Sequence, residues 1–172
     1  MKRLAAWDVA YAVNMAIACG ISYAIITQAL APFVNKPGDL LYGMWSVIAT
    51  VFVFKDSRAN SVSAGLGLLV ATSVSVALCF IYLIMFPFSG LGMAVVIGVG
   101  TVAMMLLGRP NDIVAAGIST AVVLVVAALS PEKAWQEPLL RFVDTVVGIA
   151  VGVSCKWIGS YAFFRVVGDP AR

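Results

Sequence analysis

The stretch over residues 138–165, PLLRFVDTVVGIAVGVSCKWIGSYAFFR, constrains the fold of this chain more than any other feature. As a helix rising about 1.5 Å per residue, its apolar part, residues 139–164, is long enough to cross a hydrocarbon core of about 30 Å. It nevertheless contains Arg141, Asp144 and Lys156. Because an ionisable side chain that faces lipid is costly, we expect these charges to face protein or a water-filled path.

The spacing of the charged residues shows which face of the helix carries them. Asp144 lies one turn after Arg141. Residues at successive steps of three or four share one face of an α-helix, and here these are Arg141, Thr145, Gly148, Gly152, Lys156 and Gly159. That face carries small and cationic residues, whereas the other faces carry Val, Ile, Trp and Phe.

The composition of the whole chain places it among integral membrane proteins. Hydrophobic residues make up 62% and charged residues 11%, and the mean hydropathy is +1.04. Soluble domains carry about 25% charged residues. The segments between the apolar blocks are too short for a soluble domain, so we predict one membrane domain over residues 1–172.

Several kinds of chemistry are excluded by the residues that the sequence lacks. It has no histidine, which removes His-ligated metals and Ser-His-Asp catalysis. Cys19, Cys79 and Cys155 are widely spaced and form no C-x-x-C pair. Walker A, dinucleotide-binding and nucleophile-elbow motifs are also missing. We therefore expect no enzymatic activity, no cofactor, no metal site and no nucleic-acid partner.

Six apolar segments predict an all-α polytopic membrane protein with six transmembrane helices. They cover about residues 7–30, 40–54, 61–85, 91–107, 113–129 and 139–164. Six spans place both termini on the same side of the bilayer. That side carries most of the Lys and Arg residues, so the positive-inside rule makes it cytoplasmic. We expect a multi-pass protein of a bacterial-type inner (plasma) membrane.

The order of the segments suggests two repeats of three helices. The second span with the turn after it, GMWSVIATVFVFKDSR, loosely matches the fifth, GISTAVVLVVAALSPEKAWQEPLLR. Arg58 is spaced from Gly65 as Arg141 is from Gly148. Three spans per repeat make the repeats inverted, and short segments at corresponding positions are typical of a transporter's binding region. Chance similarity between apolar helices is the alternative.

Two stretches resemble a known family. The pattern R-x-x-D-T-x-x-G-x-x-x-G, from Arg141 to Gly152, follows a Pro-Glu-containing loop and resembles the membrane domain of the aromatic acid exporter and fusaric acid resistance superfamily. The stretch YGMWSVIAT, from Tyr42 to Thr50, is similar to that family's second span. The resemblance covers nearly all of the chain, and R-x-x-D-T-x-x-G is its most specific element.

The chain departs from the family pattern at two points. Family members carry G-x-x-R-x-x-G-T in the third span, but alignment on Gly65 puts Leu68 and Ala71 at the arginine and glycine positions. Arg58, before that span, is the candidate replacement for the missing charge. Many members also have a second membrane unit or a cytoplasmic domain. A six-span unit is therefore expected to complete its path as a homodimer.

The resemblance implies export of organic anions, with aromatic carboxylates as candidate substrates, through a path lined by basic side chains. A guanidinium supplies a two-pronged hydrogen bond to a carboxylate, which an ammonium does not. We predict substrate binding by five residues: Arg141, Asp144, Thr145, Lys156 and Arg58. We predict helix packing by three glycines: Gly148, Gly152 and Gly65.

Other interpretations of the same residues stay open. Arg141 and Asp144 have the spacing of an ion pair that fixes the start of a helix. Lys156 has the reach to extend along the helix to the cytoplasmic surface. For the whole protein, the alternatives are a passive anion channel, because the resemblance extends to plant malate channels, and a non-transporting membrane partner of a larger system.

Overall fold

Helices make up nearly all of the described chain. The computed structural model describes residues 6–30, 40–54, 58–129 and 135–167. Within these ranges it has six α-helices, a 3₁₀ turn (Pro110–Asp112) and no β-strand. The helices are α1 (Ala6–Leu30), α2 (Leu40–Val53), α3 (Arg58–Met85), α4 (Gly90–Leu106), α5 (Ile113–Leu129) and α6 (Gln136–Val167). The predicted all-helical fold class is confirmed.

Four of the helical segments are long and apolar enough to cross a membrane. They are Val9–Gln28, Ala59–Met85, Pro110–Leu129 and Gln136–Gly159. Two shorter apolar helices, Gly43–Val53 and Gly90–Leu106, accompany them. The protein is therefore a multi-pass membrane protein, and six crossings stay a prediction.

Local sequence explains several helix boundaries. The Ser89 hydroxyl caps α4 by accepting the backbone N–H of Gly92 at 3.0 Å. After α4 the chain turns at Gly108, whose φ of +69° favours glycine. Pro138 lies in the first turn of α6, where a missing N–H breaks no intrahelical bond. For this reason α6 begins at Gln136, before the predicted span start at residue 139.

The described helices belong to two compact units. The first unit comprises Met1–Gly65 and Val147–Arg172, so it holds α1, α2, the start of α3 and the second part of α6. The second unit comprises Leu66–Val146, with the rest of α3, then α4, α5 and the start of α6. One membrane domain over the whole chain stays a prediction.

In the first unit, α2 packs against α1 and α6 through buried hydroxyl groups. The Ser46 hydroxyl donates to the carbonyl of Ser22 at 3.2 Å. The Thr50 hydroxyl donates to the carbonyl of Gly148 at 3.0 Å. A Cβ added at Gly148 would lie 2.7 Å from the Cβ of Ala49 and would overlap the Ser46 carbonyl oxygen. Glycine therefore allows the close approach of backbones on which the hydrogen bond depends.

In the second unit, α3 packs against α5 through a similar polar contact. The Ser75 hydroxyl donates to the carbonyl of Ala116 at 2.8 Å, and the Thr120 hydroxyl donates to Ser75 Oγ at 3.1 Å. An apolar cluster beside this contact joins α3, α4 and α5, and its members are Cys79, Val96, Val123 and Leu124. These contacts give α3, α4 and α5 a shared apolar cluster in this unit.

The turn between α4 and α5 carries an ion pair. Arg109 Nη1 lies 3.3 Å from Asp112 Oδ2. The Asp112 carboxylate also lies against α3, because a Cβ added at Gly67 would be 2.6 Å from its Oδ1. The ion pair and the lack of a side chain at Gly67 together allow this turn to pack against α3.

Candidate functional site

The face of α6 that the sequence singled out is buried. Arg141 is 7% exposed, Asp144 0% and Lys156 9%. The same buried face includes Glu137, Thr145, Gly148 and Gly152. The opposite face is exposed at Leu139, Val143, Val146, Trp157 and Ile158. The charged residues thus avoid the side of the helix that lipid would contact, as the cost of a charge in hydrocarbon requires.

The second unit contains the residues that we call the Arg141 cluster: Glu137, Arg141, Asp144 and Thr145, all near the start of α6. Arg141 and Glu137 lie within electrostatic range of Asp144. The Thr145 hydroxyl donates to the carbonyl of Arg141 at 2.9 Å, one turn back along the helix. The cluster therefore places two carboxyl groups and one guanidinium on one buried helix face.

Asp144 is the least satisfied member of this cluster. Neither of its carboxylate oxygens accepts a hydrogen bond from any residue that the structure describes. The two residues are therefore not joined by a hydrogen-bonded ion pair, although Arg141 lies one turn away. A carboxylate buried without donors is costly when ionised. Its charge has to be compensated by the nearby guanidinium, by water or by a proton.

The second unit also buries hydroxyl groups that have no hydrogen-bond partner among the described residues. These are Thr72 on α3, which is 0% exposed, and Ser119 on α5, which is 1% exposed. Buried polar atoms of this kind are usually satisfied by water or a ligand. Together with Asp144, they make the interior of this unit more polar than its helices alone require.

The first unit contains a second cationic group, which we call the Lys156 cluster: Lys156, Tyr11 and Phe54. Lys156 Nζ lies 4.5 Å from the centre of the Tyr11 ring and 5.4 Å from that of Phe54. The two rings meet edge to face at 5.3 Å, and the Tyr11 hydroxyl donates to the carbonyl of Phe54 at 3.0 Å. Cation–π contacts of this kind stabilise an ammonium away from bulk water. Lys156 is therefore held against the two rings and is not extended along the helix.

Asn14 fixes α1 against α6 beside the Lys156 cluster. Its side-chain amide donates to the carbonyl of Cys155 at 3.1 Å. The amide lies so close to Gly159 that a Cβ at that position would overlap it. The glycine on the cationic face thus leaves room for a polar contact between two helices.

The glycines predicted to pack lie near neighbouring atoms in the first unit. A Cβ added at Gly65 would be 2.9 Å from Ile149 Cγ2, and one at Gly152 would be 3.3 Å from Thr50 Cα. Gly148 is the tightest of the three, because a Cβ there would overlap the carbonyl oxygen of Ser46 on α2.

The five predicted binding residues fall into two sets. Arg141, Asp144 and Thr145 lie together in the second unit, whereas Lys156 lies in the first. Arg58 begins α3 in the first unit, and its side chain is outside the described part of the structure. A role in substrate binding stays a prediction for all five.

Sequence reasoning missed Glu137, Tyr11, Phe54 and Asn14. Glu137 lies four residues before Arg141, a spacing that puts both side chains on one helix face. This signal becomes usable only when the helix is known to start before Pro138. Tyr11 and Asn14 are three residues apart in an apolar span, so they share a face. Phe54 gave no signal, because its role depends on the tertiary position of Lys156.

Within the described ranges, no group of three or more His, Cys, Asp or Glu side chains is placed to hold a metal ion. Two buried cations, Arg141 and Lys156, lie in a helix that qualifies as a membrane span. A multi-pass helical protein with buried cations on one helix face has the features of a membrane transporter.

Comparison with protein families makes this assignment specific. The family of fusaric acid resistance protein-like proteins matches residues 17–155. The chain belongs to this family, which confirms the resemblance seen in the sequence, and it is a membrane transporter-like protein. No curated protein and no solved structure matches it.

Proposed function

We propose that the protein exports organic anions, aromatic carboxylates in particular, across a bacterial-type inner membrane along the buried face of α6. The observation that carries this proposal is the burial of Arg141 and Lys156 on one face of a membrane-spanning helix. The family supports it too, because its description refers to fusaric acid, which is itself an aromatic carboxylic acid.

The chemistry of the two cations fits a carboxylate that leaves water. Such an anion has to replace its hydrogen bonds to water, and the guanidinium of Arg141 offers two parallel donors. Lys156 lies about 22 Å further along the same helix face and offers a second positive charge. Weak binding at more than one position is what transport requires, because the anion must also leave.

Proteoliposomes that contain the purified protein test this proposal. The measurement is release of radiolabelled benzoate by the wild type, by Arg141→Ala and by Arg141→Lys. We expect Arg141→Ala to lose most of the release, and Arg141→Lys to retain part of it because the charge is kept while the two-pronged hydrogen bond is lost.

Arg109→Gln is the matched control for this measurement. It removes one positive charge from a side chain that is 39% exposed and lies outside both clusters, so release should be retained. Equal release by the wild type and Arg141→Ala would contradict the proposed path. Absence of release from correctly folded wild type would contradict the proposed function.

The charge distribution supports a topology with both termini in the cytoplasm. In that orientation the cytoplasmic side carries Lys2, Arg3, Lys55, Arg58, Arg109, Arg165 and Arg172, and the outer side carries Lys36, Lys133 and Arg141. This is the bias that the positive-inside rule describes. A reporter domain that is active only in the cytoplasm should be active when fused to either end, and one that is active only outside the cytoplasm should be inactive at both ends.

The makeup of the two units supports the inverted repeat. One unit combines α1 and α2 with the start of α3 and the end of α6, and the other combines α4 and α5 with the start of α6 and the end of α3. If α4 is put in place of α1, α5 in place of α2 and α6 in place of α3, and the reverse, the composition of one unit becomes that of the other. The boundaries between the units fall directly after Gly65 and within two residues of Gly148, which are the glycines that the repeat aligns.

A homodimer is part of the proposal, and α4 offers a surface for it. Gly90, Ala94 and Gly98 are exposed at intervals of four residues. An added Cβ at Gly98 would meet no atom within 4 Å. Small residues at this spacing allow close helix contact in membranes. Gly98→Cys should form disulfide-linked dimers in membranes, whereas exposed Val125→Cys on α5 should not.

A further inference from the structure

The charged surroundings of Asp144 are simple. On its own helix, Arg141 and Glu137 lie within electrostatic range. The parts of α3, α4 and α5 that belong to the second unit contain no charged residue. The Arg109–Asp112 ion pair accounts for the other charged side chains described in this unit.

Charge balance at the cluster depends on the protonation of Asp144. The cluster holds two carboxyl groups, those of Glu137 and Asp144, and one positive charge, that of Arg141. When Asp144 is ionised, a carboxylate substrate that binds Arg141 would add a further negative charge inside the membrane, which is unfavourable. A proton on Asp144 offsets the charge that the anion adds, whatever the charge of Glu137.

We propose that Asp144 is a proton-binding site linked to anion binding, so that the Arg141 cluster takes up one proton with each anion. This inference rests on the proposed function, because it assumes that Arg141 binds the anion. The step is a protonation of one Asp144 oxygen by water-borne protons, and it forms no covalent bond to the substrate. The charge of the cluster is the same before and after binding.

A proton fits this position better than a sodium ion. Sodium requires several oxygen ligands, as other hard cations do. Along the helix, the Thr145 hydroxyl, which donates to the Arg141 carbonyl, is a single neighbouring side-chain oxygen, and one such ligand is fewer than sodium requires. Neither Asp144 oxygen has a hydrogen-bond partner among the described side chains. A single proton neutralises the carboxyl group without further ligands.

Binding of benzoate to the purified protein tests the inference. The affinity of the wild type should rise as the pH falls, by at most about tenfold per pH unit, which is the limit for one linked proton. Asp144→Asn resembles the protonated form and should bind benzoate with an affinity that hardly depends on pH. Glu137→Gln removes the other buried carboxyl of the cluster and should retain the dependence of the wild type.

Proton uptake on binding gives a second measurement. In a weakly buffered solution with a pH-sensitive dye, adding benzoate to the wild type should remove about one proton per bound anion, by the reciprocity of linked equilibria. Infrared difference spectra should show a new protonated-carboxyl band in the wild type that is missing in Asp144→Asn. Replacing sodium by choline should change neither result.

The outcomes separate this inference from the proposed function. Binding that is independent of pH in the wild type, without proton uptake, would overturn the role of Asp144 and leave anion transport standing. Dependence on pH that is lost in Glu137→Gln and kept in Asp144→Asn would also overturn it. Failure of the folded wild type to bind benzoate at any pH would contradict the proposed function and this inference with it.

Discussion

Replacing Gly148 by alanine should break the contact between α2 and α6. The added methyl group would overlap the carbonyl oxygen of Ser46 and lie 2.7 Å from the Cβ of Ala49. Because the nearest atoms are a backbone carbonyl and a Cβ fixed to the backbone, they cannot move aside as the end of a flexible side chain would. The helices have to separate, and the hydrogen bond from Thr50 to the Gly148 carbonyl, now 3.0 Å long, is weakened as well.

The size of the effect follows from these two losses. Overpacking costs about 1–3 kcal/mol, and an interhelical hydrogen bond in a membrane contributes about 0.6 kcal/mol. A free-energy loss of this size corresponds to a melting temperature lower by roughly 3–14 °C for a chain of this length. Gly20→Ala, on the exposed side of α1, is the matched control, because its methyl group would meet no atom within 4 Å.

The assay is the fraction of protein that stays monodisperse in detergent after heating, measured for the wild type and both variants. Any gain in helix propensity from glycine to alanine is about the same in the two variants. Their difference therefore reports the contact itself. Equal melting temperatures for Gly148→Ala and Gly20→Ala would show that α2 and α6 are not packed as described.

Two further changes test other parts of the structure. Tyr11→Leu removes the ring beneath Lys156 and with it a cation–π contact that contributes about 0.5–2 kcal/mol. Lys156 should then react faster with an amine-directed reagent in intact membranes, as measured by mass spectrometry. An unchanged rate would contradict the Lys156 cluster. Gly67→Ala would bring a methyl group within 2.6 Å of the Asp112 carboxylate. Displacement of the turn between α4 and α5 should then lower the melting temperature by a few degrees. An unchanged melting temperature would show that Asp112 does not lie against α3.

Much of the helical framework could be predicted from the sequence because the bilayer limits the possibilities. Apolar segments separated by Pro, Gly and charged residues predict helices, and the helix ends lie within a few residues of those predicted. The main deviation is the start of α6. Pro138 reads as a helix breaker in sequence, but in the first turn of a helix it interrupts no hydrogen bond.

The buried face of α6 was also predictable, because the spacing of Arg141, Thr145, Gly148, Gly152 and Lys156 is a property of any helix. What contacts that face was not. Tyr11 and Phe54 are separated from Lys156 by most of the chain, and apolar helices have little sequence pattern to specify their neighbours. The missing hydrogen-bond donors of Asp144 likewise became apparent only from the structure.

The most direct test of the central claim is the accessibility of the buried face of α6 to a charged reagent. In a background without Cys19, Cys79 and Cys155, cysteine would replace either Thr145, which is buried, or its neighbour Val146, which is 41% exposed toward the lipid side. An anionic thiosulfonate reagent should modify Thr145→Cys in membranes, and benzoate should slow that reaction. Val146→Cys, at the same depth, should react poorly. If Thr145→Cys is unreactive, the face only packs against protein and lines no path for an anion.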